Sequence, residues 1–522
     1  MKKRKLRIFI LVLAMMLVIA GCGSEPATNA GDKSDNKPKE LRIALSVQPP
    51  TIDQPISSTA VSRDMARLVF ETLVTVDSSY QVAPSLAESY DVSDDHKTIT
   101  FHLRKGVKFH NGNEMTAEDV VASMTRWAQK SSSAGKIFEG AAFEAKDNYT
   151  VVLHLAQPSV LALDAMASPN MAAAIMPKSV VDAATPSGVS EYIGTGPYKF
   201  VEWKQDQYIH FTKYDGYQSA EGKPDGLAGK KEALIDDLYF EVVKDASTRL
   251  TGLQTGKYDF AYTINFDNYE QLKNSPNLRP VLDNYGQLVM YYNEKKGLSS
   301  NFKMREAINT ALDLDKVMHA TFTTDDLYNL KPGYMYYNMK NWASDAGSEF
   351  YNQKNPEKAK KILEEIGYNN EEFKILTSRD YPHFYNAAVI IQEQLTQLGM
   401  NVKLEVYDWP TVQEKQSKVG DWDALVAGAA YVNTPPQLLY LSSTYAGGIT
   451  DAKSIDLLKG IKDASSQEEA TKLWNELQEH AWKEHLPVTI LSNYQTLYGA
   501  SDKVEGIMGF AGPVFWNAKM VK

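Results

Sequence analysis

From Leu41 onward, short runs with apolar residues at every second position alternate with longer runs whose apolar residues recur every three or four. The first pattern fits a half-buried strand and the second an amphipathic helix. In "KTITFHLRKGVKFHNG", Ile99, Phe101 and Leu103 share one strand face, and Asn111-Gly112 marks a turn. The next stretch, "MTAEDVVASMTRWAQ", predicts a helix with Thr116 as its cap and Asp119 three residues on, an acidic form of the capping box. Val120, Met124 and Trp127 then fall on one helical face. "GTGPYKFVEWKQDQYIHFTKY" predicts a hairpin, with Tyr198 and Phe200 before the polar Lys204-Gln205-Asp206 turn and Ile209 and Phe211 after it.

Between Asn355 and Asp408 the pattern also fixes topology. Asn355 caps a helix with Pro356 at its first position, and Ala359, Ile362, Leu363 and Ile366 form its stripe up to Gly367. "EEFKILTS" is a strand. A helix from about His383 carries Ala388, Ile391, Leu395 and Leu398 on one face and ends at Gly399, and "NVKLEVYDW" alternates Val402, Leu404 and Val406. Strand, helix and strand in this spacing make a βαβ unit with parallel strands. "SRDYPHFYN" therefore lies in the turn leaving the carboxyl end of a parallel strand, the edge at which open α/β sheets bind ligands. That puts the charge of Arg379 at a predicted binding edge, with Tyr381, His383 and Tyr385 around it.

The first 39 residues follow another pattern. Lys2, Lys3, Arg4, Lys5 and Arg7 precede an apolar run from Ile8 to Ala20, which is shorter than the roughly 20 residues a spanning helix needs. A basic front and a short apolar run read as a secretory signal. It ends in Val18-Ile19-Ala20-Gly21-Cys22, similar to the bacterial lipobox, so Cys22, the chain's only cysteine, is expected to carry lipid as the new first residue. Residues 23–39 hold no large apolar side chain and predict a disordered tether with a reach of roughly 20–25 Å.

Composition then removes several function classes. Loss of residues 1–21 would leave 50 Lys and Arg against 65 Asp and Glu, a formal charge of −15, which disfavours nucleic acid as a partner. No further apolar run approaches spanning length, and without a second cysteine there is no disulfide framework or thiolate metal site. The length and a 43% hydrophobic share suffice for about three domains. No H-E-x-x-H or G-x-S-x-G motif occurs. "HAWKEH" (His480, Glu484, His485) has one residue too many for an inverted zinc motif, and "GLQTGKY" has the wrong spacing for a phosphate loop. An enzyme is not expected, nor a cofactor or a resident metal.

Several segments, in order, resemble the family 5 extracellular solute-binding proteins: "LRIALSVQPPTID", "SLAESYDVSDDHKTITFHLRKGVKFHNGNEMTAEDVVASM", "GTGPYKF", "NEKKGLSSNFKMREAINTALDLDKV" and "NPEKAKKILEEIGY". The resemblance covers essentially everything after residue 40. It implies a two-lobed α/β clamshell of the large three-subdomain, periplasmic-binding-protein-like type. Two strands would cross between the lobes near 281–293 and 486–499. The implied division is a signal peptide (1–21), an anchor and tether (22–39), a first-lobe core (40–75, 193–284 and 490–522), an inserted subdomain (76–192) and a second lobe (285–489). It further implies a receptor, expected to be a monomer, that is lipid-anchored on the extracytoplasmic face and closes on a small solute. The receptor would deliver that solute to the permease and ATPase subunits of an ABC importer. Membrane contact would be through the lipid alone.

The expected ligand is a peptide or peptide-like solute. The resemblance assigns Arg379 to the ligand carboxylate, a pairing that suits a guanidinium. Peptide binders of the family hold the free amino end with an aspartate, and aligned on Tyr431 that place is taken by Ala430. Either another carboxylate serves, or the ligand has no free amino end. Asn433 would then hydrogen-bond an amide or hydroxyl, with Tyr431 and Trp409 lining the ligand. The alternatives are a non-peptide solute such as a sugar derivative or a nickel or metal chelate, for which His383 is the one candidate contact, or else a cell-surface hydrolase or a ligand sensor.

Overall fold

The structure, a computed structural model, describes residues 39–131, 134–420 and 422–521. The expected signal, Cys22 and nearly all of the tether lie outside the described residues, as does Asp421.

A single sheet of eleven strands runs through the described chain. Its members in chain order are β1 (Glu40–Leu45), β2 (Tyr198–Lys204), β3 (Tyr208–Lys213), β4 (Asp237–Val242), β5 (Phe260–Ala261), β6 (Leu278–Tyr292), β7 (Glu372–Ser378), β8 (Asn401–Tyr407), β9 (Ala424–Ala430) and β10 (Val488–Ser501). The strand order is β8-β7-β9-β6-β10-β5-β1-β4-β3-β2, and the short Tyr328–Asn329 strand pairs with β10. One half is built around β1, parallel to both β4 and β5. The other is built around β7, parallel to β8 and β9. The βαβ prediction is therefore met, as is the hairpin, whose strands β2 and β3 pair antiparallel.

The two halves share only β6 and β10, which pair antiparallel from Leu278–Ser501 to Tyr291–Val488. At about 3.3 Å per residue, the 15 residues of β6 reach roughly 45–50 Å, long enough to serve both lobes. These strands occupy the stretches the sequence marks as crossings. Along β6 the first part alternates buried and half-buried positions, with Val281 and Asp283 inward, whereas Gly286–Tyr292 is buried throughout. The ladder slips where that pattern changes, so that Asn284 pairs with Gln495 and Gly286 with Tyr494, leaving Tyr285 as an extra residue. Such a bulge bends and twists a strand locally.

Between β1 and β2 the chain forms α1 (Ala60–Val69) and then a separate four-stranded antiparallel sheet (Ala87–Val92, Thr98–Leu103, Ala142–Asp147, Thr150–His154). Ile99, Phe101 and Leu103 point into its core. The helix α2 (Ala117–Lys130) starts at the expected capping box, with the Thr116 N–H and hydroxyl both donating to Asp119 at 2.9 Å. Val120, Met124 and Trp127 are fully buried beneath it. His102 pairs with Asp91 at the surface, and His110 lies between the Gly194 N–H and the Gly196 carbonyl, so neither is placed to hold a metal.

Candidate functional site

The turn after β7 folds onto the helix it feeds, α3 (Pro382–Gln397), which begins one residue before the expected start. Ser378 Oγ accepts the Asp380 N–H, and the Asp380 carboxylate accepts the Trp409 N–H at 2.7 Å, tying the turn to the start of the next helix. Arg379 is exposed, with its guanidinium 4.6 Å from the Tyr385 ring centroid and Nη2 donating to the Tyr385 hydroxyl at 3.1 Å. Tyr381 stacks on Phe384 at 4.8 Å and meets the edge of Trp409 at 5.3 Å. Arg379, Tyr381, Tyr385 and Trp409 thus form one rim on the second lobe.

His383 is turned away from that rim. Its ring packs 5.3 Å from Phe266, 5.2 Å from Tyr494 and 4.5 Å from Phe384. Burial alone drives its pKa down to about 3. The ring is expected to stay neutral throughout pH 5–8; an Hε1 proton shift that moves across that range would contradict this packing. Among the described residues, no cluster of three or more His, Cys, Asp or Glu side chains is placed to bind a metal ion.

Tyr431 and Asn433 follow β9 and lie in the seam between the lobes. Tyr431 is buried against the edge of Tyr80 at 5.0 Å, and its hydroxyl has no protein partner. Asn433 Nδ2 donates at 3.0 Å to the backbone carbonyl of Asp164, which lies in the chain between the separate four-stranded sheet and β2. Ala430 pairs with Gly286 on β6 and is exposed. Asp423 sits at the start of β9, where its carboxylate accepts the N–H groups of Leu298 and Lys374, so its capacity is used structurally.

The most highly charged part of the seam was not marked in the sequence. On α1, Asp64 accepts from Arg63 Nε at 2.9 Å and from Arg67 Nη2 at 3.0 Å. Arg63 also donates to Asn170 Oδ1, and Arg67 to the carbonyls of Phe510 and Ala511. Asp283, on the crossing strand β6, accepts the Gly512 N–H through Oδ2 at 2.8 Å. Burial raises the Asp283 pKa to about 6, with Arg63 pulling it back and Asp64 pushing it further. Burial works against the Arg63 charge, but Asp64 and Asp283 outweigh it, and its guanidinium holds its proton more tightly than usual. Burial raises the pKa of Tyr285, the bulged residue, with Tyr381 pushing it further and Arg63 pulling it back. A small cavity of about 50 Å³ opens beyond Arg63, lined in part by Ala66, Phe70, Leu227 and Trp516. The available signal was an aspartate at an inward position of a strand, and an Arg-Asp pair with a second arginine one turn on.

Two lobes hinged on a shared pair of strands, with a buried polar seam fed by both, define a clamshell solute receptor. The chain belongs to the bacterial extracellular solute-binding proteins of family 5, whose middle region matches residues 81–451. It is 30% identical to a probable peptide ABC transporter periplasmic-binding protein, y4tO, of Sinorhizobium fredii, over 73% of this chain and 72% of that protein. It is 27% identical to the oligopeptide-binding protein AppA of Bacillus subtilis, over 97% and 96%. The structure of that AppA with a nonapeptide superposes with a TM-score of 0.74 at 25% identity, covering 93% of this chain and 100% of AppA. The binding protein AgaA of A. tumefaciens R10, in complex with agropinic acid, gives 0.73 at 26% identity, covering 92% and 99%.

Proposed function

We propose that this receptor captures a peptide or peptide-like solute between its lobes and presents it to the permease and ATPase subunits of an ABC importer. In this reading the body is a monomer, held at the extracytoplasmic face of the membrane by lipid on Cys22. Among the described residues, no helix is long and apolar enough to cross a membrane. The observation that carries the reading is the seam itself. Asn433 and Tyr431 of the β9 side meet Asp164 and Tyr80 of the β1 side, and charged groups lie buried between. A ligand touching both sides favours the closed arrangement by the difference between its closed-state and open-state affinities, which is all that such a receptor needs. Its peptide-binding relatives favour a peptide, whereas the AgaA complex with agropinic acid is what supports the non-peptide alternative.

Mass spectrometry of small molecules released by denaturing the purified protein tests the ligand class. A set of short peptides is the expected result, and a single non-peptide compound would overturn it. Within the same reading, Arg379 holds the ligand carboxylate, with the Tyr385 ring as its platform. Arg379→Ala should then weaken a carboxylate ligand more than tenfold, about 1.4 kcal/mol or more. Unchanged affinity by calorimetry would remove Arg379 from the site.

A further inference from the structure

The cavity of about 50 Å³ beyond Arg63 is set apart from the contacts between the lobes: every residue lining it lies before β6 or after β10. Two of those residues carry a buried N–H group without a protein partner, Arg67 at Nε and Gln54 at Nε2. Gln54 is 3% exposed and the Arg67 side chain 10%. A buried donor left without an acceptor is costly, and more so on a charged group. The rest of the Arg67 guanidinium is committed to Asp64 and to the carbonyls of Phe510 and Ala511. Among the lining hydroxyls, Thr72 and Ser168 already donate to the Val74 and Asn170 carbonyls.

The charges around the cavity are unevenly matched. Lys231 lies 3.3 Å from the Glu71 carboxylate and over the Trp516 ring, so its charge is answered. Arg63 and Arg67 share one oxygen of Asp64, and Asp283 offsets Arg63 besides. Arg63 accordingly holds its proton tightly, whereas burial lowers the Arg67 pKa against the pull of Asp64, and Arg63 lowers it further. An anion removes both deficits, since it accepts from the two unpaired N–H groups and supplies negative charge beside Arg67. The space restricts its size, because one water already needs roughly 10–15 Å³ of such volume. The walls restrict its class. Ala66, Phe70 and Leu227 offer no side-chain donors, so a phosphate or sulfate would keep most of its oxygens unpaired. A weakly hydrated monovalent ion loses far less.

We propose that this cavity is a halide-binding site, with the ion held between the Arg67 Nε–H and the Gln54 side-chain amide. Because Arg67 also reaches the Phe510 and Ala511 carbonyls, the ion ties α1, the Gln54 turn and the end of the chain together. Stability then rises with halide concentration by mass action, whatever solute the seam takes.

The test measures thermal unfolding of the whole protein in sodium chloride against sodium gluconate at matched ionic strength, and locates bromide in crystals by its anomalous scattering. Between about 1 and about 200 mM chloride the midpoint should rise by about 2 °C or more. The bromide peak should lie in the cavity, within about 3.5 Å of both Arg67 Nε and Gln54 Nε2. Gln54→Leu removes one donor at similar volume and should at least halve the chloride-dependent rise. Equal midpoints in the two salts would overturn the proposal and leave the cavity to water. A folded Gln54→Leu protein with the full rise would overturn it as well, since chloride would then act elsewhere. Should that variant fail to fold, the wild-type crystals decide: a cavity without bromide overturns the assignment, and a peak on both donors upholds it.

Discussion

Gly286→Ala is expected to destabilise the protein by about 3 kcal/mol or more and to impair ligand binding in whatever fraction remains folded. The residue sits at the register slip of β6 with φ +146°, a backbone conformation that side-chain-bearing residues avoid. An added Cβ would also lie 2.1 Å from the Ala429 carbonyl oxygen and 2.7 Å from the Tyr431 nitrogen, both backbone atoms without freedom to swing away. Relief would have to part β6 from β9, and that pairing carries Tyr431 into the seam. Gly112→Ala is the control. Its φ of +86° is comparably unfavourable, but nothing lies within 4 Å of an added Cβ, so its cost should be limited to about 1 kcal/mol of backbone strain. Urea denaturation of the two variants separates the effects, and equal losses would mean that the close approach at the crossing contributes nothing.

The contrast between what the sequence revealed and what it concealed follows the range of the interactions. The Thr116–Asp119 box, the Asn355-Pro356 start and the β2–β3 hairpin are set by residues within a few positions of one another, and each stands where the pattern puts it. The parallel pairing of β7 with β8 was equally legible, because a short crossover helix allows little else. That logic placed Arg379 at a strand's carboxyl edge, yet gave no sign that its guanidinium would lie on Tyr385. His383 has the same local sequence context as its neighbours and still faces inward, because Phe266 and Tyr494 arrive from distant segments to cover it. The polar centre was the least legible part. Arg63, Asp283 and Gly512 are separated by more than two hundred residues at each step, and only the assembled seam brings them together. In the sequence, Asp283 is merely one of the polar residues of its strand, beside Arg279, Asn284 and Gln287.

Glu294→Ala should cost about 3–5 kcal/mol, the usual penalty for removing one partner of a buried acid–base pair. Glu294 lies two residues beyond β6 and His485 three residues before β10, so their contact joins the second-lobe ends of both crossing strands. His485 Nε2 is 2.9 Å from each Glu294 carboxylate oxygen, and its Nδ1 is 2.9 Å from Ser454 Oγ. Ser454 is in turn positioned by Asp451, which accepts its N–H at 2.7 Å and pairs with His480 Nε2 at 2.8 Å. The order Ser, His, Glu has the form of a nucleophile relay, but the serine is wholly buried and His485 ends a π-helical turn packed in the core. The arrangement therefore acts as a clip: Arg305 adds to it by donating to the His485 and Leu486 carbonyls just ahead of β10. Glu294→Gln keeps an acceptor for the imidazole N–H and should lose about 1–3 kcal/mol, less than alanine. His485→Ala combined with Glu294→Ala should cost well below the sum of the two single losses, because each removes the same contact. Denaturant midpoints for the four proteins measure this coupling, and strictly additive losses would show that the two residues support the crossing strands independently.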